Sequence, residues 1–327
     1  MHKDETQELL TRDFLDQVAG LFAIDSNSIK YVGGFENVIY QGQRNGQPVI
    51  LRIVHNKHRT AAQVYSELHW LEFLRHHGAT VAGPFPSLND NLVETIVVED
   101  TPLHVSVFAR ARGKLIDIRQ ERNNKQLFQA WGLAIGRLHR LTADYRPPAD
   151  IVRREDDVNI FKSTLAQYIP AEPALQERVA AIVGATERLP KTKDWYGLIH
   201  SDVHQYNFFY DGEAVQIFDF DDACYHQLAS DLAIPLYYAI WGNNLKSQAE
   251  KDAFGRLFFE HFLIGYQREF HVSREHLATI PLLLQFRDCE LLAVLLSEFG
   301  ATPSEKEIAL VESFKKRLLE NQLIVNI

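Results

Sequence analysis

Strand-forming segments separated by turn signals are concentrated before residue 110, and they constrain the fold more than any other feature of this sequence. Runs rich in β-branched and aromatic residues cover four segments: 29–43, 49–55, 92–99 and 103–109. Asn45-Gly46, a pair typical of tight hairpin turns, joins the first two runs, and residues 100–102 form the predicted turn between the last two. Helical spacing of apolar residues predicts one helix over 4–22 and a second over 61–77. This part of the chain therefore predicts a small antiparallel sheet with a helix packed against it.

The pattern changes to amphipathic helices after residue 113. Helices are predicted over 124–141, 159–169, 173–189 and most of the chain after residue 231, with strand-like runs only at 197–200 and 207–220. A chain of 327 residues is long enough for two domains. We therefore expect an α+β protein with a β-rich N-terminal lobe of residues 1–107 and a mainly helical C-terminal lobe of residues 108–327.

Charge and hydropathy argue against two classes of protein. Lys and Arg total 34 against 43 Asp and Glu, a net charge of −9, whereas general nucleic-acid binders neutralise phosphates with basic side chains. No apolar run reaches the roughly 18 residues that a membrane-spanning helix needs. The N-terminus is charged from its second residue and lacks the apolar core of an export signal. We therefore expect a soluble, cytoplasmic protein that binds neither nucleic acid nor a membrane.

The most informative group of polar residues lies between residues 200 and 222. Asp202 follows a short predicted strand, Asn207 lies five residues later, and Asp219 follows a predicted hairpin that folds back toward the loop of Asp202. A carboxylate can orient an acceptor hydroxyl and accept its proton, while amide and carboxylate oxygens are ligands for Mg²⁺. The group therefore predicts metal-assisted phosphoryl transfer, with Asp202 as the catalytic residue and Asn207 and Asp219 as metal ligands.

The stretch from His200 to Asn207 reads His-Ser-Asp-Val-His-Gln-Tyr-Asn. It resembles the H-x-D-x-H-x-x-N catalytic loop of the aminoglycoside phosphotransferase and choline kinase-like superfamily. Asp221 stands where protein kinases have the glycine of their D-F-G metal motif, which favours that superfamily, including its homoserine kinase-like branch. The resemblance implies a two-lobed protein kinase-like fold, with a nucleotide-binding N-lobe and a C-lobe for catalysis and acceptor binding. It also implies ATP as the phosphate donor and Mg²⁺ as the metal.

Three other polar residues near this loop are expected to have structural roles. His200 is expected to order the loop rather than to transfer protons. His204 could contact phosphate, although a histidine in such a loop more often supports the loop itself. Asp231, by resemblance to a structural aspartate of kinases, is expected to cap or hydrogen-bond the backbone of the catalytic loop.

A glycine pair lies within the first strand run, in the stretch 32–37 that reads Val-Gly-Gly-Phe-Glu-Asn. This stretch resembles the phosphate-covering loop of the superfamily. Glycine allows backbone N–H groups to approach phosphates closely. The resemblance therefore assigns Gly33 and Gly34 to nucleotide binding, with phosphate contacts from the backbone between Phe35 and Asn37.

An acidic residue is predicted on the buried face of the second helix. The apolar stripe of that helix consists of four residues: Val64, Leu68, Leu71 and Leu74. At 100° per residue Glu67 falls inside the stripe, where an acidic side chain is rarely tolerated unless it is paired. Arg52 on the preceding strand is the first candidate partner, and it stands where kinases place the lysine that contacts the nucleotide phosphates. Glu72 at the edge of the stripe is the alternative partner of Arg52, and Glu67 could instead reach solvent.

The predicted reaction is ATP- and Mg²⁺-dependent transfer of the γ-phosphate to a hydroxyl of a small metabolite, such as an amino alcohol, a hydroxy amino acid, a sugar or an aminoglycoside-like compound. Asp221 and Asp222 would suit an acceptor that carries an amine, or they could bind a second Mg²⁺. One alternative is a bacterial Ser/Thr protein kinase of the same fold, against which the absence of an evident Ala-Pro-Glu motif argues. The other is a catalytically silent nucleotide-binding regulator, against which the three retained motif residues argue. The sequence predicts no oligomeric state.

Overall fold

The computed structural model describes residues 2–299 and 302–327, and these form two compact units. The first unit runs to Arg112 and also contains Tyr145–Arg154; the second consists of Gly113–Asp144 and Glu155–Ile327. The units therefore differ from the predicted lobes, because a later segment of the chain returns to the first unit. The functional roles assigned to the two lobes remain predictions.

The first unit is built around a six-stranded antiparallel sheet. Its strands are β1 (Lys30–Gly33), β2 (Val38–Arg44), β3 (Gln47–His55), β4 (Pro84–Phe85), β5 (Glu94–Val98) and β6 (Thr101–Ala109). The strand order is β1-β2-β3-β6-β4, and β5 also pairs with β6. The helices are α1 (His2–Leu9) and α2 (Arg12–Phe22) before the sheet, and α3 (Ala61–His76) between β3 and β4.

One face of the sheet forms a hydrophobic core with α2. Alternate residues of β3, Val49, Leu51 and Ile53, are fully buried in the same cluster as Phe22 of α2. Successive side chains of a strand point to opposite faces of the sheet. Arg52 therefore lies on the other face of the sheet, away from this core.

The returning segment Tyr145–Arg154 packs on α3. The hydroxyl of Tyr145 lies 2.8 Å from Nδ1 of His69, and the hydroxyl of Ser66 donates to the carbonyl of Val152 at 2.6 Å. These contacts join residues far apart in the chain, so local sequence periodicity does not assign the segment to the first unit.

The hairpin turns of the first unit confirm one prediction and correct another. Asn45 and Gly46 both have left-handed backbone angles, φ 50° and 75°, and join β2 to β3 as predicted. The predicted turn at 100–102 is wrong, because Glu99 and Asp100, with φ 47° and 65°, reverse the chain between β5 and β6. Two left-handed residues are sufficient for a tight hairpin turn.

Two predicted elements of the first unit are divided. The predicted helix over 4–22 is wrong as a single helix, since Thr11 accepts a hydrogen bond from the N–H of Phe14 at 3.2 Å and caps a new helix, α2. The predicted strand run 29–43 is divided into β1 and β2 by residues 34–37, which belong to neither strand.

The second unit is mainly helical. Its helices are α4 (Lys125–Thr142), α5 (Asp157–Ile160), α6 (Pro173–Glu187), α7 (Ser230–Trp241), α8 (Gln248–Tyr266), α9 (Arg274–Leu277), α10 (Ile280–Glu298) and α11 (Glu305–Leu319). Its strands are β7 (Tyr196–Ile199), β8 (Phe208–Tyr210), β9 (Val215–Ile217) and β10 (Cys224–Gln227), paired antiparallel as β7 with β10 and β8 with β9. The segment predicted as a helix over 159–169 is helical but not one α-helix: a π-helical turn, Phe161–Leu165, and a 3₁₀ turn, Ala166–Tyr168, follow α5. Within the described residues, no helix combines the length and apolar character needed to cross a bilayer.

Helices α4 and α8 approach each other closely at glycines. A Cβ atom on Gly132 would lie 1.9 Å from the carbonyl oxygen of Phe262, and one on Gly265 would lie 1.9 Å from that of Gln129. No side chain fits at either position without a backbone shift, because the obstructing atoms are backbone. The crossing also fixes α4, whose last turn carries His139.

Candidate active site

The catalytic loop follows β7 and is held by a buried aspartate of α7. Asp231 accepts hydrogen bonds from the backbone N–H groups of His200 at 3.1 Å and Ser201 at 2.8 Å, and Nε2 of His139 lies 3.2 Å from its carboxylate. Burial would raise the pKa of Asp231, but the interactions with His139 and with the loop outweigh burial and hold the pKa below its ordinary value. The expected role of Asp231 is confirmed, and it stabilises a loop in which Ser201 has a left-handed φ of 67°.

His200 orders the same loop through both of its ring nitrogens. Nδ1 accepts a hydrogen bond from the N–H of Asp202 at 3.3 Å, so Nε2 carries the proton that is donated to the carbonyl of Phe218 at 3.1 Å. Burial lowers the pKa of His200, which favours the neutral ring. These bonds confirm the expected ordering role of His200.

Asp202 receives hydrogen bonds on both carboxylate oxygens. Nη2 of Arg287 donates to Oδ1 at 2.6 Å, while Nδ2 of Asn207 donates to Oδ2 at 2.9 Å. Nε2 of His204 lies 3.2 Å from Oδ2, and it carries the proton because Nδ1 of His204 accepts from the N–H of Tyr206 at 3.2 Å. Since N–H donors surround this carboxylate, it is suited to accepting a hydrogen bond or a proton rather than to binding a cation.

The surroundings of Asp202 favour its ionised form. Burial alone would raise the pKa of Asp202, but the interactions with His204 and Arg287 outweigh burial and hold the pKa below its ordinary value. The side chain is still 16% exposed, so a small ligand can reach it. An ionised and accessible carboxylate has the properties of a general base.

The β8–β9 hairpin places the two predicted metal ligands near each other. The N–H of Phe218 donates to the carbonyl of Asn207 at 3.0 Å, and Asp219 is the next residue in the chain. Nδ2 of Asn207 donates to the carbonyl and to Oδ2 of Asp202, at 3.0 and 2.9 Å, so Oδ1 is the atom of this amide that could bind a cation. Asp219 is exposed and has a left-handed φ of 63°, a conformation that costs a non-glycine residue about 1 to 2 kcal/mol. The backbone therefore brings Asn207 and Asp219 close together, and their metal-binding role stays a prediction.

In the first unit, Arg52 and Glu67 form a buried bidentate pair. Nη1 and Nη2 of Arg52 donate to Oε1 and Oε2 of Glu67 at 2.8 and 2.7 Å, and the two side chains are only 4% and 1% exposed. The predicted pairing is therefore confirmed, and Glu67 does not reach solvent. Glu72 pairs instead with Arg75 at 2.9 Å. The guanidinium carbon of Arg52 also lies 5.0 Å from the ring centroid of Phe108, which further fixes its position.

The predicted phosphate-covering loop connects β1, which ends at Gly33, to β2. A Cβ atom at Gly34 would lie 1.9 Å from the carbonyl oxygen of Asn37, and the φ of 124° there also requires glycine. Oδ1 of Asn37 is buried and has no hydrogen-bond partner among the described residues, while Phe35 is 66% exposed. A buried polar atom without a partner is costly unless a ligand or water completes it.

Sequence reasoning overlooks two residues that contact this site, Arg287 of α10 and Tyr238 of α7. Nη2 of Arg287 donates to the hydroxyl of Tyr238 at 2.9 Å, and the guanidinium carbon lies 5.3 Å from the centre of that ring. Arg287 is 85 residues away from Asp202 in the chain. The signal that could have indicated Arg287 is its position in the middle of α10, a helix that is otherwise largely apolar.

Residues 29–275 match the family described as "Phosphotransferase enzyme family". The chain belongs to this family. The matched residues cover three quarters of the chain and include every site residue assigned from the sequence. The resemblance to the aminoglycoside phosphotransferase superfamily is therefore confirmed.

Two amicoumacin kinases resemble this phosphotransferase over nearly its whole length. One, from Bacillus subtilis (strain 168), is 28% identical over 319 residues, which are 97% of this chain and 94% of the relative. Another was solved in complex with AMP-PNP, Ca²⁺ and Ami; it is 29% identical, with a TM-score of 0.92, covering 100% of this chain and 98% of that one. A microcompartment-associated aminopropanol kinase, 21% identical, has the same fold, with a TM-score of 0.76 and coverage of 94% and 95%. The chain is thus a kinase or phosphotransferase with a protein kinase-like fold.

The residues of this phosphotransferase fit a nucleotide and a divalent metal ion. In the second unit, the amide oxygen of Asn207 and the carboxylate of Asp219 are ligands of the type that hard divalent cations prefer. In the first unit, the backbone at Gly34 lies where a side chain would not fit, and the buried amide of Asn37 is available to a ligand. The cation of Arg52 is anchored on the same sheet.

Proposed function

We propose that this phosphotransferase moves the γ-phosphate of ATP, with Mg²⁺ as the metal, to a hydroxyl group of a small metabolite. The observation that carries the proposal is Asp202, an accessible carboxylate held in place by N–H donors on both oxygens. Such a group can accept first a hydrogen bond and then a proton from an alcohol. The acceptors we propose are amino alcohols, hydroxy amino acids, sugars and aminoglycoside-like compounds.

Asp202 orients the acceptor hydroxyl and accepts its proton while the hydroxyl oxygen attacks the γ-phosphorus. The bond between the γ-phosphorus and the bridging oxygen of the β-phosphate breaks, and ADP leaves with that oxygen. Asn207 has two roles, since its Nδ2 group holds Asp202 and its Oδ1 atom is a metal ligand beside Asp219. Mg²⁺ bound by these oxygens would neutralise charge on the phosphates.

The first unit supplies the phosphate-binding groups. Glu67 holds Arg52 through two hydrogen bonds, so the planar guanidinium is fixed before the nucleotide binds. Arg52 pairs in register with Ile39, two residues after the loop that ends at Asn37. This register supports a contact between Arg52 and phosphates that the loop covers.

Aromatic rings lie around the approach to Asp202 and support a small organic acceptor. The ring of His204 lies 5.7 Å from that of Tyr206 and 4.5 Å from that of Tyr238, and the ring of Tyr238 lies 5.6 Å from Trp241. Tyr206 is 59% exposed and Trp241 is 37% exposed, so both rings could contact an acceptor. The names of the relatives, amicoumacin kinase and aminopropanol kinase, also favour a small molecule over a protein substrate.

A coupled ADP-release assay tests the proposal, with a panel of amicoumacin, amino alcohols, homoserine, sugars, aminoglycosides and a generic protein substrate. We expect release with one or a few small acceptors, and its loss in the Asp202→Asn variant. Phosphate incorporated into the protein substrate would instead support a Ser/Thr protein kinase. Nucleotide binding without turnover on any acceptor would overturn the proposed reaction and favour a silent regulator.

A further inference from the structure

Arg287 contacts Asp202 from outside both the catalytic motif and the matched residues 29–275. Its Nη2 group donates to Oδ1 of Asp202 at 2.6 Å and to the hydroxyl of Tyr238 at 2.9 Å, and Nη1 lies 3.4 Å from Oε2 of Glu290. The arginine side chain is only 14% exposed. Removing a guanidinium from water is costly unless its partners compensate, whereas exposed ion pairs form at little cost. The contact between Arg287 and Asp202 is therefore part of the packed structure of the second unit and not an incidental surface ion pair.

The hydrogen-bond partners of Asp202 leave one of its two carboxylate oxygens able to accept a further hydrogen bond. A carboxylate oxygen accepts about two hydrogen bonds. Oδ2 already faces donors from Asn207 and His204, whereas Oδ1, among the described residues, accepts from Arg287 alone. An acceptor hydroxyl would therefore donate to Oδ1, directly beside Nη2 of Arg287.

We propose that Arg287 is a positioning residue for phosphoryl transfer. It holds Asp202 in one orientation, with Oδ1 toward the acceptor hydroxyl. The inference rests on the proposed function, because it requires Asp202 to be the group that accepts the proton. The competing explanation is that Arg287 only fastens α10 to the catalytic loop.

Arg317 of α11 offers a matched control for that competing explanation. It donates to Asp288, the residue after Arg287, at 2.6 Å through Nη2 and at 3.2 Å through Nε. It also donates to the hydroxyl of Tyr237 on α7 at 3.1 Å. Arg317→Met therefore removes an arginine that binds the same two helices, α7 and α10, without removing a partner of the catalytic carboxylate.

The experiment compares Arg287→Met, Arg287→Lys and Arg317→Met with the wild type in the full chain. Melting temperature, the KM for ATP and kcat are measured with amicoumacin as the acceptor, or with water as the acceptor in basal ATP hydrolysis if amicoumacin is not turned over. Loss of orientation should lower kcat at neutral pH by about 100-fold, with the KM for ATP nearly unchanged.

Arg287→Lys keeps the charge but not the planar fork, so its kcat should fall only about tenfold. Arg317→Met should lower the melting temperature and leave kcat nearly unchanged. An unchanged kcat in Arg287→Met, or an equal loss of kcat in Arg317→Met, would overturn the inference.

Asp202→Asn distinguishes failure of this inference from failure of the proposed function. If that variant retains nearly wild-type kcat, the proposed role of Asp202 is wrong and the inference fails with it. If Asp202→Asn loses activity while Arg287→Met keeps it, only the role of Arg287 is wrong.

Discussion

Each compact unit contains an arginine–carboxylate pair, fully buried in the first unit and partly exposed in the second. The two pairs differ in which of the two groups is held in place by the other. In the first unit both oxygens of Glu67 contact Arg52, at 2.8 and 2.7 Å, so the carboxylate fixes the cation. In the second unit Arg287 contacts one oxygen of Asp202, at 2.6 Å, and two further side chains contact the other oxygen. Here the arginine helps to fix the carboxylate. The same two chemical groups thus hold a cation in position in one unit and a carboxylate anion in position in the other.

Removing the carboxylate of the second pair should have the largest effect. Asp202→Asn keeps the size of the side chain but cannot accept a proton, so we expect kcat to fall on the order of 10²- to 10⁴-fold. ATP affinity should change little, since we place the phosphate contacts on other residues. ADP release and calorimetric nucleotide titration measure the two quantities. Asp288→Asn, which alters the carboxylate held by Arg317, is the control and should retain most of kcat.

Substitution of the proposed metal ligands should have the next largest effect. It tests whether the second unit also binds a cation. Asp219→Ala should abolish the extra thermal stabilisation that Mg²⁺ adds to ATP binding, and Asn207→Ala should weaken it. At a ligand concentration 100 times the dissociation constant, the loss would be about 2.7 kcal/mol.

Asp219→Gly is a useful companion variant, because glycine adopts the φ of 63° at this position without strain. Its melting temperature without ligand should not fall below that of Asp219→Ala, while the Mg²⁺ effect should be lost in both. If the Mg²⁺-dependent shift survives in either variant, the metal is bound elsewhere.

Breaking the first pair should have a smaller effect, on ATP rather than on the acceptor. Arg52→Ala should raise the KM for ATP about tenfold and lower kcat, and Glu67→Gln should give a milder form of the same defect. Because the two residues act as one unit, the double variant should show a coupling of about 0.5 to 3 kcal/mol. Glu72→Gln, which alters a more exposed pair, is the control. Losses that simply add in the double variant would show that Arg52 and Glu67 affect ATP binding independently.

The last prediction concerns stability in acid rather than catalysis and comes from the titratable groups around the second pair. Nε2 of His226 lies 3.4 Å from Oδ2 of Asp157, yet burial lowers the pKa of His226 to about 4, so this contact is not an ion pair at neutral pH. The unfolded chain binds this proton at an ordinary pKa near 6.5, so stability falls as the pH drops from about 6.5 to 4. One fully buried histidine accounts for about 3 kcal/mol at most.

His226→Gln should therefore reduce the loss of urea stability between pH 6.5 and 4, relative to the wild type. His76→Gln changes an exposed histidine and serves as the control. An identical slope of unfolding free energy against pH in His226→Gln and the wild type would contradict the assignment.

The two pairs differ also in how readily they can be predicted from the sequence. Arg52 and Glu67 are 15 residues apart, on a strand and the next helix. An acidic residue within an apolar stripe indicates that a partner lies nearby. Arg287 and Asp202 are 85 residues apart, and no local pattern relates a loop motif to a side chain in the middle of α10. Periodicity and motif spacing identify residues that act locally, but not the distant residue that orients them.

The same distinction holds for the fold. Strands and helices with strong periodicity, such as β3, α3 and α4, lie close to their predicted positions. Errors occur where one side chain or backbone angle decides the outcome: the cap at Thr11, the turn at Glu99-Asp100, and the π-helical turn Phe161–Leu165. β10 is not predicted either, because a four-residue strand forms only through its pairing with β7.

The glycine crossing of α4 and α8 has a consequence for mutational tolerance. At Gly132 and Gly265 any side chain meets backbone, so a saturation library should retain almost no substitutions at these positions. The helix fixed in this way carries His139, which contacts the aspartate that holds the catalytic loop. Exposed rings such as Tyr206 and Trp241 lie under no such restriction. Substitutions at these surface positions could therefore change the acceptor preference, while the spacing of the residues that carry out phosphoryl transfer stays unchanged.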